Sequence, residues 1–193
     1  MAPREKVSLA TDKRRWRPSP LLGQTVLVTT LNEDRQSNVA PKSWISMMVF
    51  QPPLLALGCN VEHWTARNIL RSGEFVVNVP GDDLADTVWR SSTLPHPRPV
   101  EAAGLTPVPA ERVSAPRIEE CRGHLECTFE QHLTFDKEVV ILGRVVAASV
   151  DREALEAGDP YSYLRLFAFL EAGTYGTIER SVRVDSRESN ERR

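Results

Sequence analysis

The chain has 193 residues, of which 41% are apolar and 26% are charged, and its formal net charge is −2. This length fits one domain of ordinary size, and the near balance of charge argues against a nucleic-acid surface, which carries a basic excess. The first 20 residues lack the apolar stretch of a secretory signal, and no window approaches the ~18–20 apolar residues of a membrane helix. Because there are three cysteines and no secretory signal, we expect a cytoplasmic protein that binds neither nucleic acid nor a membrane.

Composition divides the chain into three predicted segments. Residues 1–20 are polar and basic and end in Pro18-Ser19-Pro20, so we expect a lead-in that is either a solvated tail or an arm lying on a partner subunit. Residues 21–180 contain the periodic segments and form the predicted domain. Residues 181–193 are mostly polar and are predicted to be a tail.

The first half of the chain predicts strands separated by turn residues. Runs rich in β-branched and apolar residues occur in this half at 25–31, 43–50, 54–59 and 74–79. Residues 32–38 are polar and predict a turn. A short helix is expected between the third and fourth strands, with Thr65 as its N-cap, Ile69 on its apolar face and Gly73 at its left-handed end.

The middle of the chain predicts a second helix and a long surface segment. The helix is expected to begin near Asp82 and Asp83, because carboxylates are favourable at a helix N-terminus. Residues 92–117 contain six prolines, which do not fit within a regular sheet. We expect an irregular excursion there, and the length of such a segment is typical of a lid or binding element.

The last third predicts further strands. Residues 121–129 alternate as a half-buried strand, with Glu126 on the polar face; on an extended strand Cys121 and Cys127 lie too far apart to share a metal ion or a disulfide. Gly143 is expected to introduce a bulge or a barrel bend into a long strand at 139–150. Residues 163–170 fit either a strand or a helix. Seven short strand candidates and few helices predict a mainly β (α+β) fold, a closed or partly closed antiparallel barrel.

Polar residues gather where the third strand meets the first helix, in CNVEHWTARN at residues 59–68. A helix N-terminus carries unpaired N–H groups and a partial positive charge, which suit an anion. Asn60, His63 and Thr65 would add hydrogen-bonding groups, and Lys42 would add a positive charge. The pattern therefore indicates a phosphate site, with an ordinary capped helix as the alternative.

A second motif, NVAPKSWISMM at residues 38–48, places two serines around an aromatic residue. Ser43 and Ser46 enclose Trp44 and Ile45. Small hydroxyls and exposed backbone beside a tryptophan suit a flat ring with polar edges. A plain strand with a core tryptophan would show the same pattern.

The order of these motifs resembles the flavin reductase-like family, the FMN-binding split barrels, over approximately residues 21–178. No single motif is specific, but their combined order is fairly so. The motifs that carry the resemblance are, in chain order, Asn38, Ser43-Trp44-Ile45-Ser46, Pro52-Pro53, Thr65 with Asn68, and Gly73-Glu74-Phe75-Val76-Val77-Asn78.

The resemblance implies a split β-barrel that forms a homodimer and holds non-covalent FMN near the subunit interface. The flavin ring would lie beside residues 43–46, and the ribityl chain and phosphate beside residues 60–68. No catalytic side chain is assigned, because FMN itself carries the hydride or electrons, and no metal site is expected. The predicted cofactor-binding residues are Lys42, Ser43, Trp44, Ile45, Ser46, Cys59, Asn60, His63, Thr65 and Asn68.

The expected function is that of an FMN-dependent oxidoreductase, which moves hydride or electrons between a reduced nicotinamide or another donor and flavin. A non-catalytic FMN carrier or sensor is the main alternative, and a non-flavin binding module on the same barrel is another. Many nicotinamide-using members of the family carry Gly-Asp-His where this chain has Asp136-Lys137-Glu138. A glutamate there would repel the phosphates of NADH or NADPH, which argues against a nicotinamide donor.

Overall fold

The structure is a computed structural model that describes residues 5–12, 18–171 and 173–182. Most of the basic N-terminal cluster and most of the polar C-terminal tail lie outside these residues. The domain boundaries at residues 20 and 180 therefore stay predictions. Among the described residues, no helix has the length and apolar character required to cross a bilayer.

The described part of the chain forms twelve strands and four α-helices. The strands are β1 (Gly23–Gln24), β2 (Val26–Leu31), β3 (Ser37–Lys42), β4 (Ile45–Phe50), β5 (Pro53–Asn60), β6 (Glu74–Val79), β7 (Pro107–Val108), β8 (Arg117–Ile118), β9 (Gly123–Phe135), β10 (Glu138–Val150), β11 (Phe167–Glu171) and β12 (Thr174–Thr177). The helices are α1 (Trp64–Ser72), α2 (Ala85–Thr93), α3 (Arg152–Glu156) and α4 (Pro160–Leu164), with 3₁₀ turns at Asp82–Leu84 and Glu101–Ala103.

Seven strands form one antiparallel sheet in the order β3-β2-β6-β9-β10-β5-β4. Its two edge strands, β3 and β4, are consecutive in the chain and are separated only by Ser43 and Trp44. Two residues span at most about 7 Å, so the sheet has to curl until its edges approach each other. The expected mainly β, antiparallel barrel is confirmed, and the seam between its edges lies at Ser43 and Trp44.

The barrel core consists of side chains at alternate positions of the strands, including Val26, Val28, Leu55, Leu57, Val77 and Ile141. Gly143 makes room for the largest of the core side chains, since a Cβ there would lie 2.4 Å from Cζ of Phe75. The pairing of β9 with β10 shifts register at Leu142/Gly143, which confirms the predicted bulge.

Two smaller sheets and α2 cover the outside of the barrel. The sheet β1-β11-β12 and the β7-β8 pair are separate from the main sheet. A second core cluster joins β2 and β3 to α2, the excursion and β11 through Leu27, Val39, Val88, Ile118 and Phe167. This layer brings the C-terminal strands close to the seam.

Several predicted elements are confirmed. The strand at 74–79 has the predicted bounds, and Gly73 ends α1 with φ 76°. Residues 163–170 contain both predicted alternatives, because α4 ends at Leu164, Arg165 takes a left-handed conformation and β11 begins at Phe167.

Two predictions about the strands were wrong. The turn predicted at 32–38 ends earlier, since β3 begins at Ser37. Asn38 and Pro41 of β3 have a low strand preference, which is why the sequence did not predict this strand. Proline is tolerated there because β3 is an edge strand. The prediction that 121–129 is a half-buried strand with a polar outer face was also wrong at Glu126, whose side chain is 0% exposed. The excursion covers this face of β9.

The proline-rich excursion contacts the barrel and the start of α1 through different halves. Its second half is fixed to the barrel, where Glu126 accepts hydrogen bonds from the backbone N–H groups of Glu111 and Arg112 at 2.8 and 2.6 Å. Thr29 Oγ1 also donates to the carbonyl of Pro116. Only the first half approaches the helix start, because the ring of His96 stacks on Trp64 with centroids 5.7 Å apart.

Candidate functional site

Two adjoining cavities lie at the barrel seam. The polar cavity, of about 320 Å³, is lined by six of the predicted residues, namely Lys42, Ser43, Trp44, Cys59, Asn60 and His63. The apolar cavity, of about 530 Å³, is lined by Ser43, Trp44, Ile45, Ser46, Leu22 and Val140. Because Ser43 and Trp44 line both, the two cavities form one continuous depression.

Trp44 provides a flat apolar surface at this junction. Its indole is 49% exposed, and its carbonyl accepts a hydrogen bond from Gly58 N–H at 2.8 Å. A Cβ on Gly58 would lie 3.3 Å from Cβ and 3.4 Å from Cε3 of Trp44. The absence of a side chain at Gly58 therefore lets the tryptophan lie close along β5.

The strand beside Trp44 has hydrogen-bonding capacity that the sheet does not use. Among the described residues, β4 is an edge strand that pairs with β5 on one side only. An edge strand presents N–H and C=O groups on its outer side. These groups of the Ile45–Phe50 strand are suited to the polar edge of a planar ligand.

The start of α1 differs from the sequence prediction. Thr65 is not the N-cap; the helix begins at Trp64 and its N-cap is His63, whose side chain makes no capping hydrogen bond. Thr65 lies within the first turn and is 1% exposed. Within the described part of the chain, no side chain at the N-cap accepts from the first-turn N–H groups of α1, which is the arrangement that receives an anion at a helix N-terminus.

A cluster of basic side chains surrounds the same helix start. Nζ of Lys42 lies 3.4 Å from Nδ1 of His63, and His96 and Arg98 come from the excursion. Burial lowers the pKa of Lys42, and the charge of Arg98 lowers it further, against the opposing effect of Cys59. Partial burial, Arg98, His63 and Lys42 together lower the pKa of His96.

His63 lies at the centre of this cluster. Its pKa is lowered by partial burial and then by the charges of Lys42 and Arg98, while Glu138 opposes the shift. None of the ion pairs among the described residues involves the cluster of Lys42, His63, His96 and Arg98. The fold thus gathers basic side chains at the polar cavity without pairing any of them with a carboxylate of the described residues.

One carboxylate, Glu138, lines the polar cavity. It stands opposite Asn60 in the pairing of β10 with β5. Burial raises the pKa of the neighbouring Cys59 thiol, Lys42 lowers it and Glu138 raises it further. Cys59 is therefore a neutral thiol in the cavity wall.

Two predicted site residues lie apart from the others. Thr65 lines neither cavity. The side chain of Asn68 is used within the fold, because its Nδ2 donates to Thr30 Oγ1 and Asn32 Oδ1, both at 2.9 Å. The ligand-binding roles of Thr65 and Asn68 stay predictions.

The sequence prediction missed His96 and Arg98. Backbone pairing fixes them beside the site, because Val39 N–H donates to the carbonyl of Arg98 at 2.9 Å. Two backbone carbonyls, those of Leu94 and Ser92, hold the guanidinium. The only sequence signal was that basic residues interrupt the prolines of a long excursion.

The comparisons with known proteins identify the family. Residues 21–167 match the flavin reductase like domain, so the chain belongs to the flavin reductase-like family. This membership supports a flavin-related oxidoreductase role. A relative in Bacillus subtilis (strain 168), the uncharacterized protein YwrF, is 33% identical over 146 residues, which are 69% of this chain and 71% of that protein.

Solved structures share the fold at lower identity. The 2-nitrobenzoate 2-nitroreductase of Pseudomonas fluorescens superposes with a TM-score of 0.82 at 21% identity, covering 96% of this chain and 98% of that one. An FMN-binding protein from Thermus thermophilus gives 0.79 at 18% identity, covering 94% and 100%. At these identities the likeness establishes the fold.

Proposed function

We propose that this protein is an FMN-dependent oxidoreductase of the flavin reductase type. The observation that carries the proposal is the cluster of basic side chains Lys42, His63, His96 and Arg98, which form no ion pair among the described residues, next to an apolar depression at the barrel seam. A cavity of several hundred Å³ with an apolar wall and a few convergent polar groups is typical of a cofactor site. The two ends of the depression match the two ends of FMN.

The polar cavity fits the phosphate. Lys42 and His63 would contact the phosphate oxygens, and the first-turn N–H groups of α1 would donate to them. A dianion would raise the lowered pKa values of Lys42, His63 and His96 and so favour their protonated forms, which is the electrostatic reason that these basic groups occur together. Asn60 would fix the adjoining polar chain.

The apolar cavity fits the ring. Trp44 and Ile45 would support one face of the flavin, and the outer N–H groups of β4 would donate to its polar edge. When bound, FMN supplies hydride or electron transfer. The protein residues hold and orient the ring and exclude water from its face.

Comparing FMN with riboflavin tests this placement, because riboflavin lacks only the phosphate. We expect flavin fluorescence titration to show FMN binding on the order of 100-fold more tightly, since charge-assisted hydrogen bonds contribute ~1.5–3 kcal/mol each. Equal affinities would refute the phosphate site. Absence of binding by either flavin would refute the proposed function.

We also propose that the protein is a homodimer. Large apolar side chains are exposed on β4 and at the end of β9, including Met48 at 61%, Phe50 at 94% and Phe135 at 62%. Phe135 pairs with Glu138, which pairs with Asn60, so this row of the sheet leads directly to the polar cavity. A second copy covering these side chains would complete the flavin site.

Sedimentation would test the dimer. Phe50→Glu should convert the dimer to a monomer and weaken FMN binding, because a buried carboxylate in an apolar interface is unfavourable. Leu155→Glu, which introduces the same charge at an exposed leucine on α3, is the matched control. A wild-type protein that sediments as a monomer when loaded with FMN would contradict the dimer.

The electron donor separates an enzyme from a carrier. Glu138 in the wall of the polar cavity favours a donor other than NADH or NADPH, and so keeps an FMN carrier or sensor as the second candidate. Under anaerobic conditions, bleaching of the bound flavin by NADH or NADPH would establish the enzyme. We place the protein in the cytoplasm, because its three cysteines are buried free thiols.

A further inference from the structure

A third cavity lies beside the proposed flavin site, between α2 and the C-terminal strands. This aromatic cavity has a volume of about 200 Å³. Trp89, Phe169 and Tyr175 form its aromatic walls, and Thr25, Lys42 and Ser43 contribute polar groups. Because Lys42 and Ser43 also line the polar cavity, the two cavities are neighbours.

The aromatic walls are held in place by packing. The Tyr175 ring contacts Phe167 and Phe169 edge-on, with centroids 5.2 and 5.6 Å apart, and burial raises the pKa of Tyr175. A Cβ on Gly173 would lie 3.4 Å from the Trp89 indole, so the turn before β12 supports this ring. Trp89 is nevertheless 41% exposed, which leaves indole surface free for a ligand.

Thr25 contributes an unusual polar group. It is 3% exposed, and its Oγ1 has no hydrogen-bond partner among the described residues. The backbone N–H of Thr25 donates to the carbonyl of Phe167 at 2.9 Å, which fixes Thr25 beside the aromatic walls. A buried hydroxyl without a partner is unfavourable, so a ligand atom that accepts its hydrogen would stabilise this position.

We propose that the aromatic cavity binds a small molecule with one aromatic ring and an anionic or carbonyl substituent. The volume suits one ring, since a cavity of about 150 Å³ accommodates benzene. The ring would pack between Trp89 and the Phe169–Tyr175 pair, and the substituent would accept a hydrogen bond from Thr25 near the positive charge of Lys42. This site goes beyond the proposed function and does not require flavin.

Calorimetric titration with benzoate tests the site on the purified full chain, both free of flavin and loaded with FMN. We expect benzoate to bind the flavin-free form in the micromolar to millimolar range, and the FMN-loaded form more weakly, because the phosphate then pairs with Lys42. Toluene, which lacks the acceptor, should bind more weakly, and so should cyclohexanecarboxylate, which lacks the aromatic ring. No heat of binding at millimolar benzoate would overturn the proposal, whether or not FMN binds.

Two variants assign the binding to this cavity. Thr25→Val should weaken benzoate binding about two- to tenfold, which corresponds to the loss of one hydrogen bond. Trp89→Leu should weaken benzoate binding about threefold or more. Thr25→Val keeps the side-chain shape and removes an unpaired hydroxyl, so it should fold as the wild type does by circular dichroism. Thr93→Val, on the same helix as Trp89 but outside the cavity, is the control. Unchanged benzoate affinity in both Thr25→Val and Trp89→Leu would overturn the proposal.

Discussion

Two charged regions of this molecule are built in opposite ways. On the outer face of β9, Glu126 is fully buried, and its Oε1 lies 2.6 Å from Nη2 of Arg117. Its carboxylate also accepts hydrogen bonds from the backbone N–H groups of Glu111 and Arg112. Burial alone would raise the pKa of Glu126, but these hydrogen bonds and Arg117 lower it. At the polar cavity, Lys42, His63, His96 and Arg98 come together with no such neutralising set.

The difference separates a structural site from a binding site. Where every charge has a partner within the chain, the arrangement fastens one element to another, as Glu126 fastens the excursion to the barrel. Where basic groups converge without a carboxylate partner, folding gains no ion-pair energy from their proximity. Such an arrangement is explained by a ligand that brings the missing negative charge.

The largest expected effect comes from breaking the neutralised region. Glu126→Gln removes the buried counter-charge of Arg117, which keeps only the largely exposed Glu111 at 3.0 Å, and we expect the free energy of unfolding to fall by ~3–5 kcal/mol. Denaturant titration followed by circular dichroism measures this loss. The FMN affinity of the folded variant should be unchanged, because Glu126 lies away from the seam.

The same strand provides a control. Glu130 pairs with Arg144 at 2.9 Å, and each side chain is 37% exposed. Glu130→Gln should therefore change the free energy of unfolding by less than ~1 kcal/mol. Equal losses in the two variants would show that burial does not distinguish the pairs.

Lys42→Met should affect function without destabilising the fold. We expect FMN to bind about 10- to 100-fold more weakly, because a charge-assisted contact to the phosphate is lost. The free energy of unfolding should not fall, since the substitution removes a desolvated charge that Arg98 repels. Fluorescence titration and thermal melts measure the two quantities. A destabilised Lys42→Met protein with normal FMN affinity would show that Lys42 stabilises the fold and does not bind the phosphate.

The pH dependence of FMN binding gives a smaller effect. The pKa values of His63 and His96 are lowered in the free protein, and a bound phosphate would raise them. Binding then takes up protons, so affinity should rise by about three- to tenfold as the pH falls from about 8 to about 6.5. Riboflavin, which lacks the phosphate, should show no such rise, and the same slope for both flavins would contradict the cluster's role.

The smallest effect is expected at the single acid of the polar cavity. Glu138→Gln removes a negative charge near the proposed phosphate and should tighten FMN binding about two- to fivefold, as expected for an exposed charge. Glu130→Gln, which removes an exposed acid elsewhere on the sheet, is the matched control. Weaker FMN binding by Glu138→Gln would show that the carboxylate contributes a favourable contact.

Much of the fold and part of the site could be predicted from local sequence. The strand at 74–79 follows from its run of β-branched and apolar residues. The left-handed helix end at Gly73 and the bulge at Gly143 follow from the absence of a side chain on glycine. All three are properties of neighbouring residues. β3 was missed because its polar residues and Pro41 carry little strand preference. Its pairing with β2 decides its conformation, and pairing is a long-range property.

For the site, six predicted residues reach the polar cavity because each lies next to the seam or the start of α1. His96 and Arg98 escaped prediction because they reach it from a distant excursion, through pairing of Val39 with Arg98. Glu126 was misplaced for the same reason, since alternation shows that it faces away from the barrel core but not that the excursion covers it.

By itself, the sequence determined the antiparallel strands, the helix end at Gly73 and the family to which the chain belongs, because periodicity and motif order are carried by nearby residues. Only the tertiary structure decided which charges are neutralised and which are left for a ligand. Electrostatic partners are chosen by distance in space, and the curling of the sheet and the path of the excursion set those distances.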